Sequence, residues 1–388
     1  MFFPALALVA LAPVVLGQSY LDGLSQTLNA AGLTQLANIT TLLNATTVGQ
    51  ELVAQLPQGN KTLFAPTNQA LSGLDPTIAS NGTLVADIIS YHVVSGNFVN
   101  ETQSSPNATI GRTLLNDSAL VMLEGGKAQV LAWSKAENGS IFVLNQGSNV
   151  TVANTTTFEN LEIIVIDSVL VPPPNMTNIF GNSSLELSEL ASVLESTSVP
   201  GGSSILAELT SMRGITVFAP NNAGVQAAQS TLSGLASNTT ALTAVISNHI
   251  INGTSVYSPE INANSSLLSA GGQQYTFSNN ATGRFVSVGG SNAVQIVQTD
   301  VLAANGVIHI INGVLINTNT DPAAASSAFA SATSVAAQPA TETGPVGATP
   351  TPSAGGGGNG TGAAVINGVP DSVTMGLLVG FALVGQMV

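Results

Sequence analysis

The sequence predicts an α+β fold in which one domain occurs twice in tandem. Three observations predict it. A set of motifs recurs in the same order at nearly constant spacing. Within each copy, apolar residues repeat at helical spacing first and alternate at strand spacing later. Hydrophobic residues make up 44% of the 388 residues and charged residues only 7%, enough apolar surface to fill two cores of ordinary size.

The repeat is read directly. Thr62-Leu63-Phe64-Ala65-Pro66-Thr67-Asn68 returns about 154 residues later as Thr216-Val217-Phe218-Ala219-Pro220-Asn221-Asn222. Ile89-Ser90-Tyr91-His92-Val93-Val94-Ser95-Gly96 returns as Ile246-Ser247-Asn248-His249-Ile250-Ile251-Asn252-Gly253, and Ile163 to Val171 returns as Ile308 to Ile316. The period is too long for a solenoid and suits tandem globular domains. Pro172-Pro173-Pro174 separates the copies, which are placed at 18–171 and 175–317.

Taken in order, residues 1–17 are apolar and uncharged and end in small residues before Gln18, the pattern of a secretion signal. Leu21, Leu24 and Leu28, then Leu33, Leu36, Ile39 and Leu43, fall near a period of 3.6 and predict helices, as do Leu185 to Leu194 and Ile205 to Leu209. The Phe-Ala-Pro runs read as short buried strands closed by proline, with Asn68 or Asn222 capping the following helix. Strands and hairpins are expected at Ala128 to Trp133, Ile141 to Leu144 and Asn149 to Ala153, and again at Tyr275 to Ser278, Phe285 to Gly289 and Ala293 to Gln298. From 320 to 362 the composition falls to Ala, Ser, Thr, Pro and Gly, which predicts an extended, O-glycosylated stalk without a core. The tail, 363–388, ends in an apolar run with no basic residue after it; small residues upstream make Asn359, Gly360 and Gly362 candidates for attachment of a glycosylphosphatidylinositol (GPI) anchor.

Seventeen Asn-x-Ser/Thr sequons support the secretory route: Asn38, Asn44, Asn60, Asn81, Asn100, Asn107, Asn116, Asn138, Asn149, Asn154, Asn175, Asn182, Asn238, Asn252, Asn264, Asn280 and Asn359. Glycan at these positions would supply the hydration that charged side chains normally give.

Six Lys and Arg against twenty Asp and Glu leave a net charge of −14. So few cations cannot neutralise a phosphate backbone, which excludes a nucleic-acid partner. The absence of cysteine removes disulfides, thiolate metal sites and Cys nucleophiles.

These residues together resemble the fasciclin domain family. The resemblance rests on Thr62 to Ala70, on Tyr91-His92, and on the closing Asn305-Gly306-Val307-Ile308-His309-Ile310-Ile311 through Leu315. It implies two tandem fasciclin-like domains, each a β-sandwich-like core with helices packed on one side, and an adhesive or matrix-binding role without catalysis. The layout of signal, two domains, stalk and anchor signal looks like fungal cell-surface members. It implies cell-surface or wall glycans and proteins as partners, a membrane reached through the lipid anchor, and a cell-surface location, with the vacuole as the alternative. In the family the Tyr-His segment is tied to adhesion, so Tyr91, His92 and His249 are the adhesion candidates, with the first domain favoured because Asn248 replaces the tyrosine in the second. The first copy also departs at its close, with Asn160-Leu161-Glu162-Ile163 in place of Asn-Gly-Val-Ile.

Read from chemistry alone, His92 and His249 are either ligands or buried imidazoles bonded to backbone where helix passes to strand. Tyr91 suits a core edge or an interface. No His-Glu-x-x-His, Gly-x-Ser-x-Gly or Asp-rich calcium loop is present, so no catalytic residue, metal site or cofactor is expected. The readings beside adhesion are a structural wall component that binds polysaccharide and a wall-modifying hydrolase.

Overall fold

The computed structural model describes residues 12–147, 150–199, 202–235, 237–338 and 344–348. The first domain opens with three helices, α1 (Ala12–Ala30), α2 (Thr34–Leu42) and α3 (Thr47–Gln55), then β1 (Lys61–Pro66), α4 (Asn68–Ser72), α5 (Pro76–Ala79) and α6 (Gly82–His92). Six strands follow: β2 (Val93–Ser95), β3 (Thr109–Arg112), β4 (Val130–Lys135), β5 (Ile141–Val143), β6 (Val150–Phe158) and β7 (Leu161–Ile166). The second domain repeats the plan with α7 (Met176–Phe180), α8 (Ser188–Ser196), α9 (Ile205–Ser211), β8 (Ile215–Pro220), α10 (Asn222–Ala227), α11 (Gln229–Leu235), α12 (Thr239–Ser247), β9 (Ile250–Asn252), β10 (Tyr275–Asn280), β11 (Gly283–Val288), β12 (Val294–Ala303) and β13 (Gly306–Ile311).

The strand orders are β2-β1-β7-β6-β5-β4-β3 and β10-β11-β12-β13-β8-β9. The first and last strands of each copy pair in parallel, β1 with β7 and β8 with β13, while the other pairs are antiparallel. A bridge between Val94 and Thr113 brings the two ends of the first sheet together, so the sheet folds over itself. Alternation along β1 then serves two cores. Leu63 and Ala65 face the helices with Leu24, Leu28 and Leu52, and Phe64 faces the inside of the folded sheet with Tyr91, Leu131 and Trp133. The second domain divides β8 in the same way, Val217 and Ala219 toward the helices and Phe218 toward the strands.

Asn68 and Asn222 of the Phe-Ala-Pro boxes do not cap the helices that follow them. Thr67 Oγ1 caps α4, accepting from Ala70 N at 3.2 Å, and Asn221 Oδ1 caps α10, accepting from Gly224 N at 2.9 Å. Asn68 and Asn222 reach back to the start of the helical layer instead. Asn68 Oδ1 accepts from Gln35 N and Asn222 Oδ1 from Glu189 N, both at 2.9 Å. The residues before α2 and α8 are Leu33 and Leu187, which have no capping side chain, so each box caps a distant helix. The first domain also closes as the second does despite lacking the glycine: Asn160 Nδ2 donates to Leu56 O at 2.9 Å and Asn305 Nδ2 to Leu209 O at 2.7 Å.

The stalk expected from 320 onward is corrected by the structure over its described part. Asp321 caps a helix, α13 (Pro322–Ala336), by accepting from Ala324 N at 3.0 Å, with Pro322 at the first position and an alanine-rich body. The segment then runs back across both domains. Phe329 lies on Gly253, Ala336 sits so close to Gly125 that a Cβ there would meet its carbonyl oxygen at 2.0 Å, and Val346 N donates to Ile110 O at 2.8 Å. Small side chains let a helix approach backbone closely, which composition alone does not reveal. The expected secretion signal shares residues 12–17 with α1; residues 1–11, the tail 363–388 and the attachment candidates Asn359, Gly360 and Gly362 lie outside the described residues. No helix among the described residues is long and apolar enough to cross a membrane.

Candidate functional site

The three adhesion candidates lie in the interior. His92 ends α6 with none of its surface exposed, and His249 follows α12 with 6% exposed. His92 Nδ1 donates to Ile88 O at 2.7 Å and Nε2 accepts from Leu170 N at 2.9 Å. His249 repeats this with Val245 O at 2.7 Å and Leu315 N at 2.9 Å. One nitrogen faces a carbonyl and the other an N–H, so each ring is the neutral Nδ1–H tautomer. Burial pushes both imidazoles down to about 4, against a smaller upward pull from the carbonyl bond. Neither ring has a nitrogen left for a ligand or a proton. Each ties the end of a helix to the chain leaving the last strand of its domain.

Tyr91 is fully buried, and its hydroxyl has no hydrogen-bond partner among the described residues. Burial raises its phenol well above the usual value, and the Tyr257 phenol of the second domain raises it further. Asn248, at the matching position, is buried as well. Its Nδ2 donates to Asn317 O at 2.9 Å and its Oδ1 accepts from Ser269 Oγ at 2.7 Å. The Tyr-His segment therefore cannot meet a partner directly, a correction forced by its place on the inward side of α6.

The chemistry that sequence reading missed is at the junction of the domains. Ala108, Ile110, Val130 and Ala132 of the first domain pack with Tyr257, Leu302 and Val307 of the second, and Val346 of the returning segment completes the cluster. Met122 N donates to Ala304 O at 2.7 Å while Met122 O accepts from Gly214 N at 3.1 Å. Gln129 Nε2 donates to Ala303 O at 3.1 Å, and Asn145 Nδ2 to Asp300 O at 2.7 Å. Asp300 is buried with a left-handed backbone, φ 58°. Its Oδ1 accepts from Ser258 N at 2.7 Å, and its N–H donates to His309 Nδ1 at 3.3 Å. His309 Nε2 donates to Val256 O at 2.9 Å, and burial holds this imidazole below its usual range.

Three of the six basic residues gather at this junction. Lys127 pairs with Glu124 at 3.1 Å. Arg284 Nη2 donates to Asn107 Oδ1 at 2.5 Å, and Arg112 acts on the Tyr257 phenol, opposing the rise that burial causes. Burial also raises the Glu260 carboxyl, opposed by its bond from Tyr257 N and by Lys127. No local pattern marks these residues, because they meet only when the domains dock. Among the described residues no group of His, Asp and Glu is arranged to hold a metal ion.

The sequon asparagines lie on the outside. Of the seventeen, Asn149 and Asn359 fall outside the described residues, Asn252 is half-buried, and the other fourteen are exposed. Asn81, Asn175, Asn182 and Asn238 each cap a helix through Oδ1, a bond that does not use Nδ2, the atom that carries an N-glycan.

A sequence model of the fasciclin domain matches residues 34–172 and 186–317. The fasciclin-like arabinogalactan protein of Arthroderma benhamiae is 27% identical over 324 residues, which span 81% of this chain and 70% of that protein. Immunogenic protein MPB70 of Mycobacterium bovis is 33% identical over 168 residues, 40% of this chain and 75% of that protein. Among solved structures, a FAS1 domain pair from the insect cell adhesion molecule fasciclin I covers 74% of this chain and 98% of its own, at 16% identity and a TM-score of 0.34.

Proposed function

The chain belongs to the fasciclin domain family, with two copies of the domain, and from that premise we propose that it is a surface glycoprotein that attaches cells or wall material by binding, without catalysis. The observation that carries this reading is the docked pair: one body held by an apolar junction and cross-domain hydrogen bonds, with fourteen exposed sequon asparagines around it. A rigid pair presents its outer faces in fixed relation, which suits many weak contacts made together from one surface. Likeness to a fasciclin-like arabinogalactan protein of a fungus supports the extracellular setting. We assign the partners to surface or wall glycans and proteins, and membrane attachment to a GPI anchor added within 359–362.

The buried Tyr91-His92 segment gives this role its scaffold, not its contact surface. The test is attachment of beads coated with the full glycosylated chain to intact cells and to isolated walls. Attachment above that of an unrelated glycoprotein of similar sequon density supports the reading, and equal attachment overturns it. Release of the cell-bound chain by phosphatidylinositol-specific phospholipase C checks the anchor separately.

A further inference from the structure

The two sheets end differently. In the first domain β3 covers β4, paired with it over Thr109–Arg112, and Ile110 O in turn accepts from Val346 N at 2.8 Å. In the second domain the matching segment reaches only the start of β10: Leu268 bridges Gln274, and Tyr275 N donates to Leu267 O at 2.9 Å. Past that point β10 is the outermost strand of its sheet. In an antiparallel ladder the N–H and C=O of one residue point to the same side, and the side alternates along the strand. Phe277 and Asn279 therefore share the orientation of Tyr275, away from β11, and their backbone groups have no hydrogen-bond partner among the described residues. We propose that this edge is an interaction surface on which a second copy of the chain adds its own β10, antiparallel across a two-fold axis. Such a contact goes beyond attachment to cells or walls and is independent of it.

The edge lacks every usual guard against pairing. Exposed edges are normally blunted by charge, proline or a bulge. Here β10 joins β11 from Tyr275 to Asn280 without a register shift, and no Asp, Glu, Lys, Arg or Pro occurs between Ile261 and Gly283. In a chain of net charge −14, an uncharged stretch is where two copies approach at least electrostatic cost.

Self-complementarity selects the occupant. With the axis at Ser278, Phe277 of each copy pairs with Asn279 of the other, so every outward N–H of these residues meets an outward C=O and none is left over. On the exposed face Ser278 meets Ser278 of the second copy, and Thr276 meets Asn280, which are small polar pairs. Asn280 is a sequon, and a glycan there projects from this face and not from the edge, since side chains stand perpendicular to the ladder. The two six-stranded sheets join into one. Because the same patch is used on both sides, the contact closes at a dimer.

Sedimentation of the full glycosylated chain between about 1 μM and about 1 mM reads the contact. A monomer–dimer equilibrium with a Kd of about 100 μM is expected, as suits a small interface. Asn279→Pro removes an outward N–H from each copy and spares the bonds between β10 and β11, so it should weaken the dimer at least about tenfold while the circular dichroism of the fold is retained. Ser278→Lys, on the exposed face, places like charges against each other at the axis and makes the same test should the proline variant fail to fold. A monomer at every concentration, an assembly larger than the dimer, or a dimer equally tight in the folded variants would overturn the assignment.

Discussion

Glu124 of the first domain accepts two hydrogen bonds from Ser255 of the second, from its hydroxyl at 2.9 Å and its backbone N–H at 3.3 Å, with Lys127 against the other carboxylate oxygen at 3.1 Å. Glu124 is 7% exposed, so these partners stand in for water around its side chain. A buried carboxylate stripped of donors, or donors stripped of a carboxylate, costs about 1–3 kcal/mol. Glu124→Ala should therefore lower Tm and let the domains move apart. A larger radius of gyration in solution checks this, and an unchanged radius would mean that the apolar junction holds the pair without Glu124.

Tyr91→Phe should leave Tm unchanged or raise it, since the hydroxyl is buried without a partner and its removal ends a desolvation cost. His92→Ala should act oppositely, stranding Leu170 N and Ile88 O and opening a cavity, for a loss of about 2–4 kcal/mol. Bead attachment measured at equal folded concentration should be the same for Tyr91→Phe and the parent. A loss of attachment with Tm intact would return the segment to the contact surface.

Stability should fall as pH drops from about 6.5 to about 4. An unfolded histidine takes its proton near 6.5, while His92 and His249 in the fold resist until about 4. Between those values the unfolded chain binds more protons, so each imidazole removes about 1.4 kcal/mol per pH unit, and its contribution is intact above 6.5. Asp87, raised to about 6 by burial and then by Asp117, and Glu260, also raised by burial, work the other way and offset part of the loss. Thermal melts at pH 7 and pH 4.5 measure the net effect. His249→Gln should flatten the profile, and an identical slope in that variant would show that His249 is not the group titrating.

Removing residues 321–348 should destabilise the pair at its junction rather than leave it untouched as loss of a stalk would. Val346→Asp is the sharper version, placing a charge among Ile110, Tyr257 and Val307 at a cost of several kcal/mol. Hydrogen exchange should then rise at Ile110, whose carbonyl accepts from Val346 N, and near Gly125. Exchange unchanged at both places would contradict the packing of this segment.

Asn68→Ala and Asn222→Ala should each cost about 1 kcal/mol, the value of a lost helix cap, with fraying at α2 or α8 and not at the helix that follows the substituted residue. Exchange rates of Gln35 and Glu189 amides locate the effect. Fraying of α4 or α10 instead would restore the local-cap reading.

Much of each domain was legible along the chain because it depends on neighbours in sequence. The period of Leu21, Leu24 and Leu28 makes α1, and the apolar run Thr62 to Pro66 makes β1. The repeat of these signals makes two domains. Asp321-Pro322 followed by alanines is also a local helix start, and it was masked by a composition that reads as stalk when taken as an average. What no local pattern held is every contact made at long range. Asn68 reaches Gln35, the imidazole of His92 turns inward to Leu170, Glu124 meets Ser255, and Val346 enters a cluster formed by both domains. The sequence determined which segments become helix and strand and that the unit occurs twice, since periodicity, caps and turns act within a few residues. Only the tertiary structure decided that the Tyr-His segment is scaffold and the domain junction the place of charge, because burial and pairing are set by which surfaces meet once both copies have folded.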